Sequence, residues 1–185
     1  MPEIQHQGHP VSYWLKLLAS EEEPAQREAV TALSHLGQAA VAELIKALKD
    51  DEWQVRNQAA VVLGAIGPEA KTAVPALIDV LQENDKYFRS NAAVALGQIG
   101  REARVAVPAL IKALRDKDED VRREAATALG RFGPEAKEAV ADLVELFKDP
   151  RKPVRKQAIQ AVEAIDANAA APHLHFWSRF RHWLG

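Results

Sequence analysis

The chain has 185 residues, 48% of them hydrophobic, enough to bury an elongated core as a single domain. Its net charge of −2 gives no global electrostatic drive towards nucleic acid. With no cysteine, disulfides, thiol chemistry and cysteine-built zinc sites are excluded, and no apolar run approaches the roughly 18 residues of a membrane-spanning helix.

In chain order, residues 1–11 form an extension without an apolar run, which is not a secretory signal. Tyr13, Trp14, Leu15, Leu17 and Leu18 follow as a first apolar helix, with Ser12 placed to cap it. From there a two-helix unit repeats. Arg56, Arg89, Arg122 and Arg155 recur every 33 residues, each preceded six residues earlier by an acid: Asp50, Glu83, Asp116 and Asp149. Self-similarity at this period is the signature of a solenoid.

The apolar columns agree. Val55/Phe88/Val121/Val154, Ala59/Ala92/Ala125/Ala158, Leu63/Leu96/Leu129/Val162 and Ile66/Ile99/Phe132/Ile165 trace one stripe of an amphipathic helix, helix B. Upstream, Val74, Leu77, Ile78 and Leu81, with their counterparts one and two periods later, trace helix A. Pro75 and Pro108 fall in its first turn, where a missing N–H is harmless. Gly67, Gly100 and Gly133 are placed to close helix B in the left-handed conformation. Gly64, Gly97 and Gly130 lie inside helix B, where glycine costs up to about 1 kcal/mol against alanine, so their repetition predicts close helix–helix approach.

Five units, about ten helices, are expected. The end units depart from the pattern: Gln26 and Ser20 replace the first arginine and acid, Gly37 to Gly67 spans 30 residues, and Glu163 and Asp166 replace the last two glycines. The paired charge columns fit a ladder in which a turn acid holds the arginine of its own or a neighbouring unit, a better account than a binding stripe.

The run Val107-Pro108-Ala109-Leu110-Ile111, Asp116, Val121-Arg122-Arg123-Glu124-Ala125-Ala126, Leu129-Gly130 and Gly133 resembles a HEAT repeat, most closely the short bacterial HEAT-like repeats of the phycobilin lyase type. The resemblance spans about residues 12–166 and implies an all-α, right-handed α-solenoid. It leaves function open, since such repeats occur in scaffolds, adaptors and a few enzymes. Relatives that hydroxylate deoxyhypusine bind iron through His-Glu pairs. Here no His-Glu pair exists, and the one histidine inside the repeats, His35, is followed by Leu36. No catalytic residue, metal site or cofactor is expected.

In this architecture helix B lines the concave face. The outward positions selected as contacts for another protein or peptide are Asn57, Gln58 and Val61, then Ser90, Asn91 and Val94, then Arg123, Thr127, Arg131 and Lys156. That face reads as amide-rich in its first half and basic around Arg123, Arg131 and Lys156; so few cations argue against nucleic acid. The expected function is a non-enzymatic interaction scaffold or adaptor, with a pigment-handling factor of the phycobilin lyase type and a nucleic-acid-binding solenoid as alternatives.

Residues 167–185 break the period. Read as a helix, Phe176, Phe180, Trp183 and Leu184 make one apolar face with Trp177 at its margin, and Arg179, Arg181 and His182 lie largely elsewhere. Three roles fit: a cap on the last repeat, a helix docking on a protein partner, or a short interfacial membrane anchor. The lack of cysteine fits a cytoplasmic protein, and the tail fits peripheral membrane association.

Overall fold

A computed structural model describes residues 5–168. A two-residue-strand hairpin, β1 (Gln5–His6) and β2 (His9–Pro10), leads into a right-handed solenoid of helix pairs. The A helices are α1 (Val11–Leu17), α3 (Gln38–Ala47), α5 (Val74–Val80), α7 (Val107–Ala113) and α9 (Val140–Glu145). The B helices are α2 (Glu23–Leu36), α4 (Trp53–Ile66), α6 (Lys86–Ile99), α8 (Glu119–Phe132) and α10 (Lys152–Ile165), each of 14 residues.

The expected stripes form the core. Leu63, Leu96, Leu129 and Val162 are fully buried, as are Leu77, Leu110 and Leu143 from the A layer. Helix A begins where its apolar pattern does, at Val74, Val107 and Val140, but the chain leads into it through a 3-10 turn over Gly67–Ala73, Gly100–Ala106 and Gly133–Ala139. The apolar stretch Trp53–Val80 is long enough by composition to cross a membrane. Gly67 breaks it into α4 and α5, which pack their apolar faces into the core.

Two glycine columns do different work. At Gly67, Gly100 and Gly133 φ is +71°, +72° and +59° as expected for a helix stop, but ψ near −140° lies outside the left-handed helical region, in space that only glycine enters readily. At Gly97, a Cβ would come within 2.9 Å of the Ala128 backbone; Gly64 and Gly130 meet Ala95 and Ala161 in the same way. The B helices from α4 to α10 therefore pack almost backbone to backbone. These interior glycine contacts all lie in the B layer, the side expected to be concave. Between α2 and α4 the same columns hold Ser34 and Val62, and these two helices pack over a shorter stretch.

The charge columns form the ladder. Arg89 donates from Nη1 to the carbonyls of Glu83 and Asn84 in its own turn, and from Nε and Nη2 to both carboxylate oxygens of Asp116 in the next unit, all at 2.8 Å. Arg122 repeats this with the carbonyl of Asp116 and the carboxylate of Asp149. The pairs are well shielded, with the Arg89 side chain only 6% exposed. The acid is also a turn-former: Asp50, Asp116 and Asp149 each accept the backbone N–H two residues on. Burial pushes the Asp116 carboxyl up, but the Arg89 guanidinium and the Asp118 N–H outweigh it and hold it below the ordinary carboxylate value. Arg56 clips the carbonyls of Asp50 and Asp51, yet no ion pair joins it to Glu83.

The first helix begins at Val11 with Pro10 at its cap position, so Ser12 lies inside it and does not cap it. The hairpin explains this. Gln7 and Gly8 turn with positive φ, returning the chain so that His6 stacks on His35 and His9 stacks on Tyr13 at 3.9 Å. Trp14, buried at the junction, meets both His6 and His9 edge-on. An aromatic cluster thus covers the start of the stack.

Candidate functional site

The face expected to be concave, termed the inner face, is formed by outward positions of the B helices, and its sequence-selected residues have unequal access. Asn57 is 7% exposed: its amide donates to the Trp53 carbonyl at 3.0 Å and accepts from Asn91 Nδ2 at 3.1 Å. It is a strut between α4 and α6 and leaves the contact set. Tight B–B packing buries it, because the side of helix B that follows the arginine looks across to the next helix. Asn91 keeps partial exposure beside it.

Val61 is 38% exposed, and with half-buried Gln58 it edges a hollow of about 370 Å³ against α2, whose other walls include Val30 and Thr31. Ser90, Asn91 and Arg123 line a second hollow, about 230 Å³, together with Lys86, Tyr87 and Asp120. Val94 is half-buried between the two. Thr127 donates its hydroxyl to the Arg123 carbonyl at 3.0 Å, which leaves mainly its methyl for contact.

The expected basic end is weaker than its composition. Arg123 is paired with Asp120 on one side and with Glu124, at 2.9 Å, on the other, so its charge is spent within α8. Arg131 and Lys156 are exposed and make no ion pair among the described residues. The face is thus apolar and amide-rich between α2 and α6, with two isolated cations towards α10. The tail residues Phe176, Trp177, Phe180 and Trp183 lie outside the described residues.

Tyr87 was missing from the sequence-based selection. It is 62% exposed in the first turn of α6, at the second hollow, with the Lys86 ammonium 5.0 Å from its ring centre. Its signal was available: the same column reads Gln54, Tyr87, Asp120 and Pro153, a lone aromatic among residues suited to solvent. Trp53, 55% exposed at the start of α4, was missed for the same reason. Among the described residues, no three His, Cys, Asp or Glu side chains are grouped to hold a metal ion.

A family described as HEAT repeats matches residues 11–97 and 107–175, and one described as PBS lyase HEAT-like repeat matches residues 88–116. No curated protein matches the chain. Among solved structures, the complex of CpcE and CpcF of phycocyanin lyase from Nostoc sp. PCC7120 superposes with a TM-score of 0.73 at 23% identity, over 82% of this chain and 96% of that one. An engineered protein matches at 0.63 and 29% identity, covering 84% and 78%. Kap95p, in a structure with RanGDP, matches at 0.67 and 15% identity, covering 89% of this chain and 25% of its own.

Proposed function

We propose, for a chain that belongs to the HEAT-repeat family, that it is a non-enzymatic scaffold or adaptor which binds a protein or peptide along its inner B-helix face. The observation that carries this reading is the contrast between columns. The arginine and acid columns are consumed in holding the stack, whereas Val61, Tyr87, Val94 and Arg131 project from the inner face without a structural task. Exposed aromatic and aliphatic side chains ringed by amides are the composition of an interface core.

Support from the neighbours is general: the CpcE–CpcF structure is a complex of two proteins, and Kap95p is seen with RanGDP. The same CpcE–CpcF likeness supports a second reading, a pigment-handling factor of the lyase type. Cytoplasmic placement, with peripheral membrane association through the tail, belongs to the proposal and rests on the absence of cysteine and on the tail aromatics.

Purification from the native host separates the readings. A colourless preparation carrying a stoichiometric protein partner is the expected result. A coloured preparation with a bound tetrapyrrole overturns the scaffold reading in favour of the pigment-handling one.

A further inference from the structure

The N-terminal turns of the B helices form one long edge of the solenoid, and a second pair of columns crosses it. In two of the gaps between B helices the residue three places before one arginine pairs with the residue four places before the next. In α6 and α8 this pair is Lys86 and Asp118, with Nζ 3.1 Å from Oδ2. In α8 and α10 it is Glu119 and Arg151, again an ion pair, with the signs reversed. Between α4 and α6 the same two columns hold Trp53 and Asp85, and no cation.

The Lys86 rung shows what the vacant rung is built to take. Asp118 divides its carboxylate: Oδ1 accepts the N–H groups of Asp120 and Val121 as a helix cap, and Oδ2 takes the ammonium. That ammonium also lies 5.0 Å from the centre of the Tyr87 ring, within cation–π range. Asp85 divides in the same way. Its Oδ1 accepts the Phe88 N–H at 2.9 Å, and its Oδ2 has no partner among the described residues. Trp53 supplies the aromatic surface, more than half exposed.

The surrounding charge selects the sign of the partner. Asp51, Glu52 and Glu83, close to this rung in sequence, are exposed, and one unit earlier the same two columns hold two acids, Glu23, which pairs with Arg27, and Glu52. The nearby guanidinium of Arg56 is engaged with backbone carbonyls, and Lys86 is tied to Asp118. We infer that this edge, centred on Trp53 and Asp85, is a docking site for a lysine- or arginine-bearing segment of a partner protein, whose cation completes the rung between the indole and the free carboxylate oxygen. The site lies at the N-terminal edge of the B layer, its Trp53 and Asp85 are not among the inner-face contact residues, and it stands or falls separately from that face.

Fluorescein-labelled hexalysine and hexaglutamate, titrated with the intact protein at low and moderate salt, test this by fluorescence anisotropy. Hexalysine is expected to bind, more weakly as salt rises, and hexaglutamate is not. Trp53→Ala and Asp85→Asn should each weaken hexalysine about three- to tenfold, while Arg131→Ala on the inner face leaves it unchanged. Both substitutions preserve the fold, because Trp53 is exposed and asparagine serves as a helix cap as well as aspartate does. The inference is overturned if hexalysine fails to bind, if Trp53→Ala binds it like the wild type, or if the remote Glu138→Gln weakens it as much as Asp85→Asn.

Discussion

Arg89 illustrates how one side chain ties three pieces of chain. Its fork reaches two carbonyls of its own turn and the carboxylate of the next, and a planar guanidinium is the only side chain that serves all of them together. Glu83 breaks the series. One methylene longer than aspartate, it neither accepts the N–H two residues on nor reaches Arg56. Glu83→Asp should install the missing turn and rung, stabilising the fold by about 1 kcal/mol and raising the melting temperature by about 2–4 °C; calorimetry on the two proteins checks this.

The ladder also sets a pH limit. Asp116 and Asp118 both have folded pKa values held below their ordinary values. For Asp116 burial opposes this, and Arg89 with a backbone N–H prevails. For Asp118 burial likewise opposes it, and Lys86 with two N–H groups prevails. Carboxylates lowered on folding contribute stability above their unfolded pKa of about 3.9, and lose it as the pH falls through the folded value. Stability should therefore be flat from about pH 5 to 7 and fall steeply below about pH 4. Asp116→Asn should start less stable at neutral pH and show a shallower acid limb.

At the level of elements, the interior glycines are the contact points of the B layer. Gly97→Ala gains about 1 kcal/mol of helix propensity, but its methyl meets the Ala128 backbone at 2.9 Å, where no flexible side chain can give way. Overpacking of this kind costs about 1–3 kcal/mol. The net effect should be a fall in melting temperature of a few degrees, measured by circular dichroism; an unchanged or raised value contradicts backbone-to-backbone packing.

Most of this layer was legible in the sequence, because helical periodicity and glycine spacing report directly on which side of a helix is covered. The 3-10 lead into each A helix was not: the apolar pattern begins at Val74 and its repeats, and the preceding turn carries only single buried alanines such as Ala70 and Ala73. Nor was the hairpin, whose two-residue strands are too short to show alternation. Only Gly8 hints at it, and its partners are contributed by tertiary contacts with His35 and Trp14.

At the scale of the molecule, the two ends limit the stack differently. The aromatic hairpin covers the first repeat. In α10, Glu163 stands where Gly64, Gly97 and Gly130 admit a neighbouring helix, so a further B helix cannot approach as the others do. The inner face was legible as a surface but not as a set of contacts. Single positions such as Asn57 and Arg123 are decided by neighbours one helix away or one turn away, which a column of residue types does not reveal. Tyr87 and Trp53 are visible as exceptions to their columns, lone aromatics among residues suited to solvent.

On the proposed function, stack and partner binding reside in different columns, and two variants compared for melting temperature and for retention of the native partner on immobilised protein separate them. The inner-face variant, Val61→Asp with Arg131→Glu, changes exposed positions and should melt within about 1 °C of the wild type while losing the partner. The ladder variant Arg122→Ala leaves Asp149 buried without its guanidinium and should cost about 3–5 kcal/mol, lowering the melting temperature sharply. An inner-face variant that melts normally and still retains the partner would place partner binding elsewhere on the molecule.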